Sequence, residues 1–314
     1  MPVKGYWTTT GAVLFERAPS IESLARVLGF GWEELPAHPS KPGEPGGWIF
    51  GGPTLATSLA HGVRAIDDVD DRPWPDDMGH PQHDPDVFGG WVMGQFGSTT
   101  YPQALLRAVG NARFLEDAEG VLEGRANAFV RIRASYAVAR GMDTPVVPPD
   151  GDLLRDAIDV LRIAQRLLGV EGALAWFSPG GEVVASKPAI DTVLARASRG
   201  GHPPIEAWIG VRAYPLPGTD LVVMDTVGAE QLERTDLEVL ARADDLDPDP
   251  TYSMLMGLTA QRLRGADAIP AETVGVAGGP EFRHEEIEES IGAPPRRVIR
   301  LTRNDRPPVS PTRH

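Results

Sequence analysis

The sequence predicts an α+β protein: a mixed, largely antiparallel sheet with flanking helices, in two lobes of one compact chain. Three observations carry the prediction. Strand-like and helix-like apolar periods are interleaved, yet several neighbouring strands are separated only by tight turns, which disfavours a doubly wound parallel sheet. No G-x-G-x-x-G or G-x-x-x-x-G-K-[ST] loop follows any strand, so nucleotide-binding α/β architectures lack their signature. With 35 Gly and 30 Pro among 314 residues, turns are frequent and ordered pieces short.

In chain order, Gly11 to Phe15 reads as a strand. A helix from Ser20 to Leu28 follows, with Ile21, Leu24, Ala25 and Leu28 on one face and Ser20 as N-cap. Pro36 to Gly47 is a Pro- and Gly-rich loop; Trp48 to Phe50, Thr54 to Leu59 and Val63 to Val69 read as short strands. Tyr101-Pro102 opens a helix through about Leu115. Asn127 to Tyr136 alternates as a strand, with Phe129, Arg131 and Arg133 on one face and Val130, Ile132 and Ala134 on the other. TPVVPPD, at 144–150, is the best linker, so lobes are expected at 1–145 and 146–302, with a flexible tail at 303–314.

The second lobe opens on an amphipathic helix, Asp152 to Leu168. Ala173 to Phe177 and Glu182 to Ala185 form a hairpin, and Pro188 to Ala197 a short helix capped by Ser186. Ile205 to Ala213 and Leu221 to Asp225 form a second hairpin. Thr235 to Glu238 has the Thr-x-x-Glu form of a capping box and predicts a short helix. Thr251 to Arg264 is a further helix, and Arg296 to Leu301 a closing strand. The acidic run Glu281 to Glu289, which surrounds His284, reads as a solvated helix face.

Cysteine is absent, which excludes disulfides, thiolate metal sites and a cysteine nucleophile. There is no G-x-S-x-G elbow and no H-E-x-x-H. The N-terminal stretch lacks a charged region followed by an apolar run, and no run approaches the roughly 18 apolar residues of a membrane span. A cytoplasmic protein without membrane contact is expected. Formal charge is −14, and the last nineteen residues, with six Arg and one Asp, hold +5 of it, leaving about −19 on the rest. Such a surface repels nucleic acid and suits a basic protein partner or a cation.

Candidate function concentrates in the loop 67–97, which holds eight Asp, two His and two Trp. Asp76, Asp77, His80, His83 and Asp84 offer carboxylate and imidazole ligands for a divalent ion such as Zn²⁺ or Mn²⁺. Pro81 and Pro85 bar a continuous helix there, so His80, His83 and Asp84 would have to wrap a metal from a loop. No cofactor is expected beyond that alternative. The same stretch carries Trp74, Phe88, Trp91, Met93 and Phe96 between glycines. These side chains are expected first to pin the irregular loop onto the core; aromatic anchors with an acidic rim also suit a protein contact, and Trp74, Asp76, Asp77, Trp91 and Phe96 are the expected partner-binding residues. Arg131 and Arg133 would pair with this loop's carboxylates if their strand face borders it. Asp225 and Thr226 end a strand, where active-site groups gather, although a lone Asp there more often makes a turn.

Three segments, IEAWIGVRAY (205–214), LVVMDTVGAEQLERTDLEV (221–239) and PPRRVIRL (294–301), resemble the bacterial domain-of-unknown-function 4261 family. WPDDMGHP (74–81), FGGWVMGQFG (88–97) and ANAFVRIRASY (126–136) look like the longer members of that family, with His80 where the more regular form has an acid. The family brings no established activity or catalytic residues. The resemblance implies a cytoplasmic bacterial protein of accessory or immunity type. The expected function is therefore non-catalytic binding of a basic toxin or secretion-system partner. A metal-dependent hydrolase acting through the Asp/His loop 76–84 is the alternative, and a structural subunit of a larger assembly a further one.

Overall fold

A strand that buries every residue lies in the interior of a sheet, and β1 (Thr9–Phe15) does so. The computed structural model describes residues 9–34, 55–59, 62–78, 101–135, 151–200, 203–265, 269, 273–275 and 280–304. Within them β1 lies between β4 (Ala128–Ser135) and β5 (Ala173–Ser178), antiparallel to both. β2 (Leu55–Leu59) and β3 (Gly62–Asp70) extend the sheet on one side and β6 (Val183–Ala185) on the other, in the order β2-β3-β4-β1-β5-β6. Every neighbouring pair is antiparallel.

Both faces of this sheet are covered. Ala12, Leu14, Phe129, Ala175, Phe177 and Val184 pack under α2 (Ala104–Gly110), α3 (Ala118–Leu122), Trp74 and Met78. On the other face α4 (Leu153–Leu167) packs against β1 and β4, flanked by α1 (Ile21–Leu28) and α5 (Lys187–Gly200). The helix starts follow the sequence: Ser20 Oγ accepts from Ser23 N at 3.2 Å, and Asp152 Oδ1 from Arg155 N at 3.0 Å. Gly11 is required by packing. A Cβ there would sit 1.9 Å from the Trp176 ring, which lies buried on the neighbouring strand with its Nε1 donating to Ala207 O at 2.9 Å.

A second sheet forms from 210 onward, in the order β10-β11-β12-β9-β8-β7. Its strands are β7 (Gly210–Pro215), β8 (Leu221–Val227), β9 (Asp236–Arg242), β10 (Thr273–Gly275), β11 (Glu281–Ile287) and β12 (Val298–Arg303). β7-β8-β9 and β10-β11-β12 are each antiparallel meanders, and β9 meets β12 in parallel. A parallel pair needs a crossover; α6 (Pro248–Arg264) leads out of β9 and β10 and β11 lead back to β12. On the α6 side Leu237, Val239, Leu255, Ile299 and Leu301 form the core.

The fold is thus α+β, with one antiparallel and one mixed sheet among the described residues. Several local expectations change. The chain divides into compact units at Met1–Trp208 and Ile209–His314, not at 145/146. The reason is pairing: β5 hydrogen-bonds to β1 and α4 covers that same sheet, so residues 153–185 belong to the first unit. The linker at 144–150, the strand at 48–50 and the tail from 305 lie outside the described residues. The helix expected to run to Leu115 ends at Gly110, and a second begins after Asp117, which holds φ +50°. Ile205–Ala207 is a 3-10 turn ahead of the strand. Thr235 to Glu238 opens a strand, not a helix. Asp236, Leu237, Glu238 and Val239 alternate between two buried faces, and a helix could not pair with β8 and β12 at once. Glu281 to Ile287 is likewise a strand, with Phe282 turned into the core and His284 half-buried.

Candidate functional site

The face of the second sheet away from α6 carries a row of charges set by strand register. Arg212 on β7 is opposite Asp225 on β8; Asp225 is opposite Glu238 on β9; Glu238 is opposite Arg300 on β12; Arg300 is opposite Glu285 on β11. The first four are directly bonded or adjacent. Arg212 Nε and Nη2 donate to Asp225 Oδ1 and Oδ2 at 3.0 and 2.6 Å, a bidentate fork. Arg300 Nε donates to Glu238 Oε1 at 2.7 Å. Asp225 and Glu238 are neighbouring carboxylates at zero exposure, an arrangement that only surrounding cations and donors make tolerable.

The segment 288–297 lies over this row and supplies the remaining partners. Arg296 points down into the sheet, where Nη2 donates to Asp225 Oδ2 and to Thr226 O, both at 2.7 Å, and Nε donates to Asp236 Oδ2 at 3.0 Å. Its Nη1 reaches Pro294 O at 3.0 Å and Ser290 Oγ at 3.3 Å. Arg212 Nη1 donates to Ala293 O at 2.6 Å, and Ile291 N donates to Glu238 Oε2 at 2.7 Å. Asp236 also accepts from Thr226 Oγ1 at 2.9 Å, Ala229 N at 3.0 Å and Gly228 N at 3.3 Å, which folds the β8–β9 connection around one carboxylate.

Three guanidiniums meet three carboxylates here, and both oxygens of each carboxylate are engaged. The arrangement acts as a clasp holding 288–297 on the sheet. Ile291 completes it by packing with Leu221, Val223, Leu240 and Tyr214. The Tyr214 hydroxyl is enclosed without a hydrogen-bond partner among the described residues, and it fills the space where a Cβ on Gly292 would stand. Burial first, then the charge of Asp225, pushes its phenol well above the usual value near 10.0.

Asp225 is therefore neither a turn residue nor an open strand-end group. Asp236, Glu238 and Arg296 form the same constellation, and reading 235–238 as a helix start hid two of them. A signal was present: a charged residue alternating with apolar ones in a strand of both-face burial must find a partner in the core. The three segments 205–214, 221–239 and 294–301, marked by their resemblance, supply every ionised member of the clasp: Arg212; Asp225, Asp236 and Glu238; Arg296 and Arg300.

In the first unit, Trp74 is 5 % exposed, with its ring 5.0 Å from Phe129 and 5.1 Å from Phe177. It is a core anchor, as expected of the aromatics in this stretch, and pins the end of the β3 extension to the sheet; that burial withdraws it from the expected contact residues. Asp76 and Asp77 are exposed beside it. Gln103 N donates to Asp76 O at 2.6 Å, which fixes the backbone there. His80, His83, Asp84, Trp91 and Phe96 lie outside the described residues. Among the described residues no group of three or more His, Asp or Glu is placed to hold a metal ion. Arg131 and Arg133 share a face with Phe129, as the alternation predicts, and both are buried; Arg131 Nη1 lies 4.0 Å from Met78 Sδ. Elsewhere Arg64 pairs with Asp156 of α4, and Arg107 with the buried Glu182 at 2.6 Å. No helix among the described residues is long and apolar enough to cross a membrane.

Comparison with known proteins adds no relative: no family model, curated protein or solved structure matches the chain.

Proposed function

We propose that this chain works by binding another protein, most concretely as a bacterial immunity or accessory factor that sequesters a basic toxin or secretion-system partner in the cytoplasm. One observation carries the reading: where the acid excess lies. Among the described residues, the buried charged ones are six Arg (64, 131, 133, 212, 262, 296) and five carboxylates (Asp156, Glu182, Asp225, Asp236, Glu238). Burial therefore hides slightly more positive than negative charge. The acid excess of a chain at −14 therefore does not come from these buried groups. A surface of that sign accelerates association with a basic partner and rejects anionic ones. Exposed carboxylates include Asp76 and Asp77 in the first unit, and Asp244, Asp247, Asp249, Glu285, Glu286, Glu288 and Glu289 in the second. The resemblance of 205–214, 221–239 and 294–301 to the domain-of-unknown-function 4261 family supports the bacterial, accessory setting.

The test is affinity capture from the native host at low ionic strength, with the products of neighbouring genes co-expressed. A basic protein should be retained at about 0.05 M salt and released as the Debye length falls toward about 3 Å near 1 M. Recovery of no stable partner under these conditions overturns the proposal.

A further inference from the structure

Phe30 stands at 108 % of its reference exposure, in a protein whose other described aromatic residues are buried or half-buried. Solvent exposure of a single apolar residue is ordinary; the framing of this one is not. It sits between Gly29 at φ +80° and Gly31 at φ +89°, conformations that glycine adopts without strain. A Cβ on Gly29 would meet nothing within 4 Å, so backbone shape and not crowding calls for glycine there. Both ends of the turn are tied down. Gly29 N donates to Ala25 O at 3.0 Å, and Arg166 Nη1 on α4 donates to Leu28 O at 2.7 Å. Beyond the turn, Glu33 and Ala56 exchange two backbone hydrogen bonds of 2.8 Å at the edge of β2. The chain thus fixes its backbone on each side of Phe30 while leaving the ring in water. Glu33 and Glu34, both exposed, follow at once, and Trp32 between them and the turn is half-buried.

Resting on the protein-binding reading above, we infer that the 29–34 turn is a docking point, with Phe30 as the anchor that enters an apolar pocket of a basic partner and Glu33 and Glu34 meeting its basic rim. A pre-set turn loses little conformational freedom on binding, so most of the free energy of burying the ring becomes affinity. Anchors of this kind sit at interface centres with charged residues around them. Leu106, 65 % exposed on α2, lacks such a frame and serves as the control.

The experiment compares wild type, F30A, L106A and the E33K/E34K double variant as baits in the same host lysate, then titrates the purified captured protein against each. F30A should bind about ten- to hundredfold more weakly, as removal of a buried aromatic ring predicts. L106A should match wild type, and E33K/E34K should bind more slowly with a shallower salt dependence. The thermal midpoint of F30A should equal that of wild type, because the ring is fully exposed. Equal capture by F30A and wild type overturns this docking point and leaves the protein-binding reading standing. A lowered midpoint for F30A also overturns it, since the ring would then be packed. Failure of every bait, wild type included, overturns both.

Discussion

Arg296 and Arg297 are neighbours in sequence with opposite fates, and substituting each with Met measures what the clasp contributes. Arg297 is exposed and faces Glu286 at 3.3 Å and Glu288 at 3.5 Å, themselves exposed. Such a pair is worth about 0–1 kcal/mol, and R297M should change stability by no more than that. Arg296 is 8 % exposed and holds Asp225, Asp236 and Thr226 O at 2.7–3.0 Å. Its removal leaves two buried carboxylates short of a cation and frees the 288–297 segment. Breaking a buried pair costs about 3–5 kcal/mol, a large share of a total stability of about 5–15 kcal/mol. For a urea slope of about 2 kcal/mol/M, the midpoint should fall by roughly 2 M. All seven Trp lie between residues 7 and 208. Tryptophan fluorescence therefore follows the unit Met1–Trp208, and far-UV circular dichroism, which reports the strands and helices of both units, brings in the unit that holds the clasp. Replacing both acids as well, in D225N/D236N/R296M, should cost less than the sum of its parts, because charge and counter-charge leave together. A loss of less than about 1 kcal/mol in R296M, or an equal loss in R297M, would show that Arg296 does not hold the clasp together.

Two further substitutions probe packing. G11A should destabilise the first unit by about 2 kcal/mol or more, read by tryptophan fluorescence in denaturant, because the new methyl falls 1.9 Å from the Trp176 ring; a second change, Trp176→Leu, should recover part of the loss. Y214F should be neutral or stabilising by about 1 kcal/mol, since the lost hydroxyl has no partner among the described residues. The Tyr214 pKa is raised on folding, so its contribution is fully present below the ordinary phenol value near 10.0 and fades as pH climbs above it. Wild type should therefore lose stability between about pH 10 and 12 more steeply than Y214F.

Much of the candidate site was written in the sequence without being readable there. Arg131 and Arg133 were placed on the correct strand face by alternation alone. Trp74 was recognisable as an anchor that clamps its loop to the core. Period and charge cannot name Phe129 and Phe177 as the rings it meets. Asp225, Asp236 and Arg296 were visible as ordinary charged residues in the segments 221–239 and 294–301. Their relation was invisible, because the Asp225–Arg296 contact spans 71 positions and the Asp236–Arg296 contact 60.

The sequence by itself determined the local elements: the cap at Ser20, the two-residue period of β4, the amphipathic stripe of α4, and with them the α+β class. These depend on backbone hydrogen bonding and side-chain period over a few residues. Only the tertiary structure decided that residues 153–185 belong with the first sheet, that 236–242 is a strand despite a Thr-x-x-Glu start, and that six charged residues neutralise one another in the second. The physical reason is the same in each case. Sheet pairing and buried ion pairing are long-range contacts. Their free energy comes from partners far away in sequence, and at Asp236 that term outweighed a local helix signal worth about 1 kcal/mol.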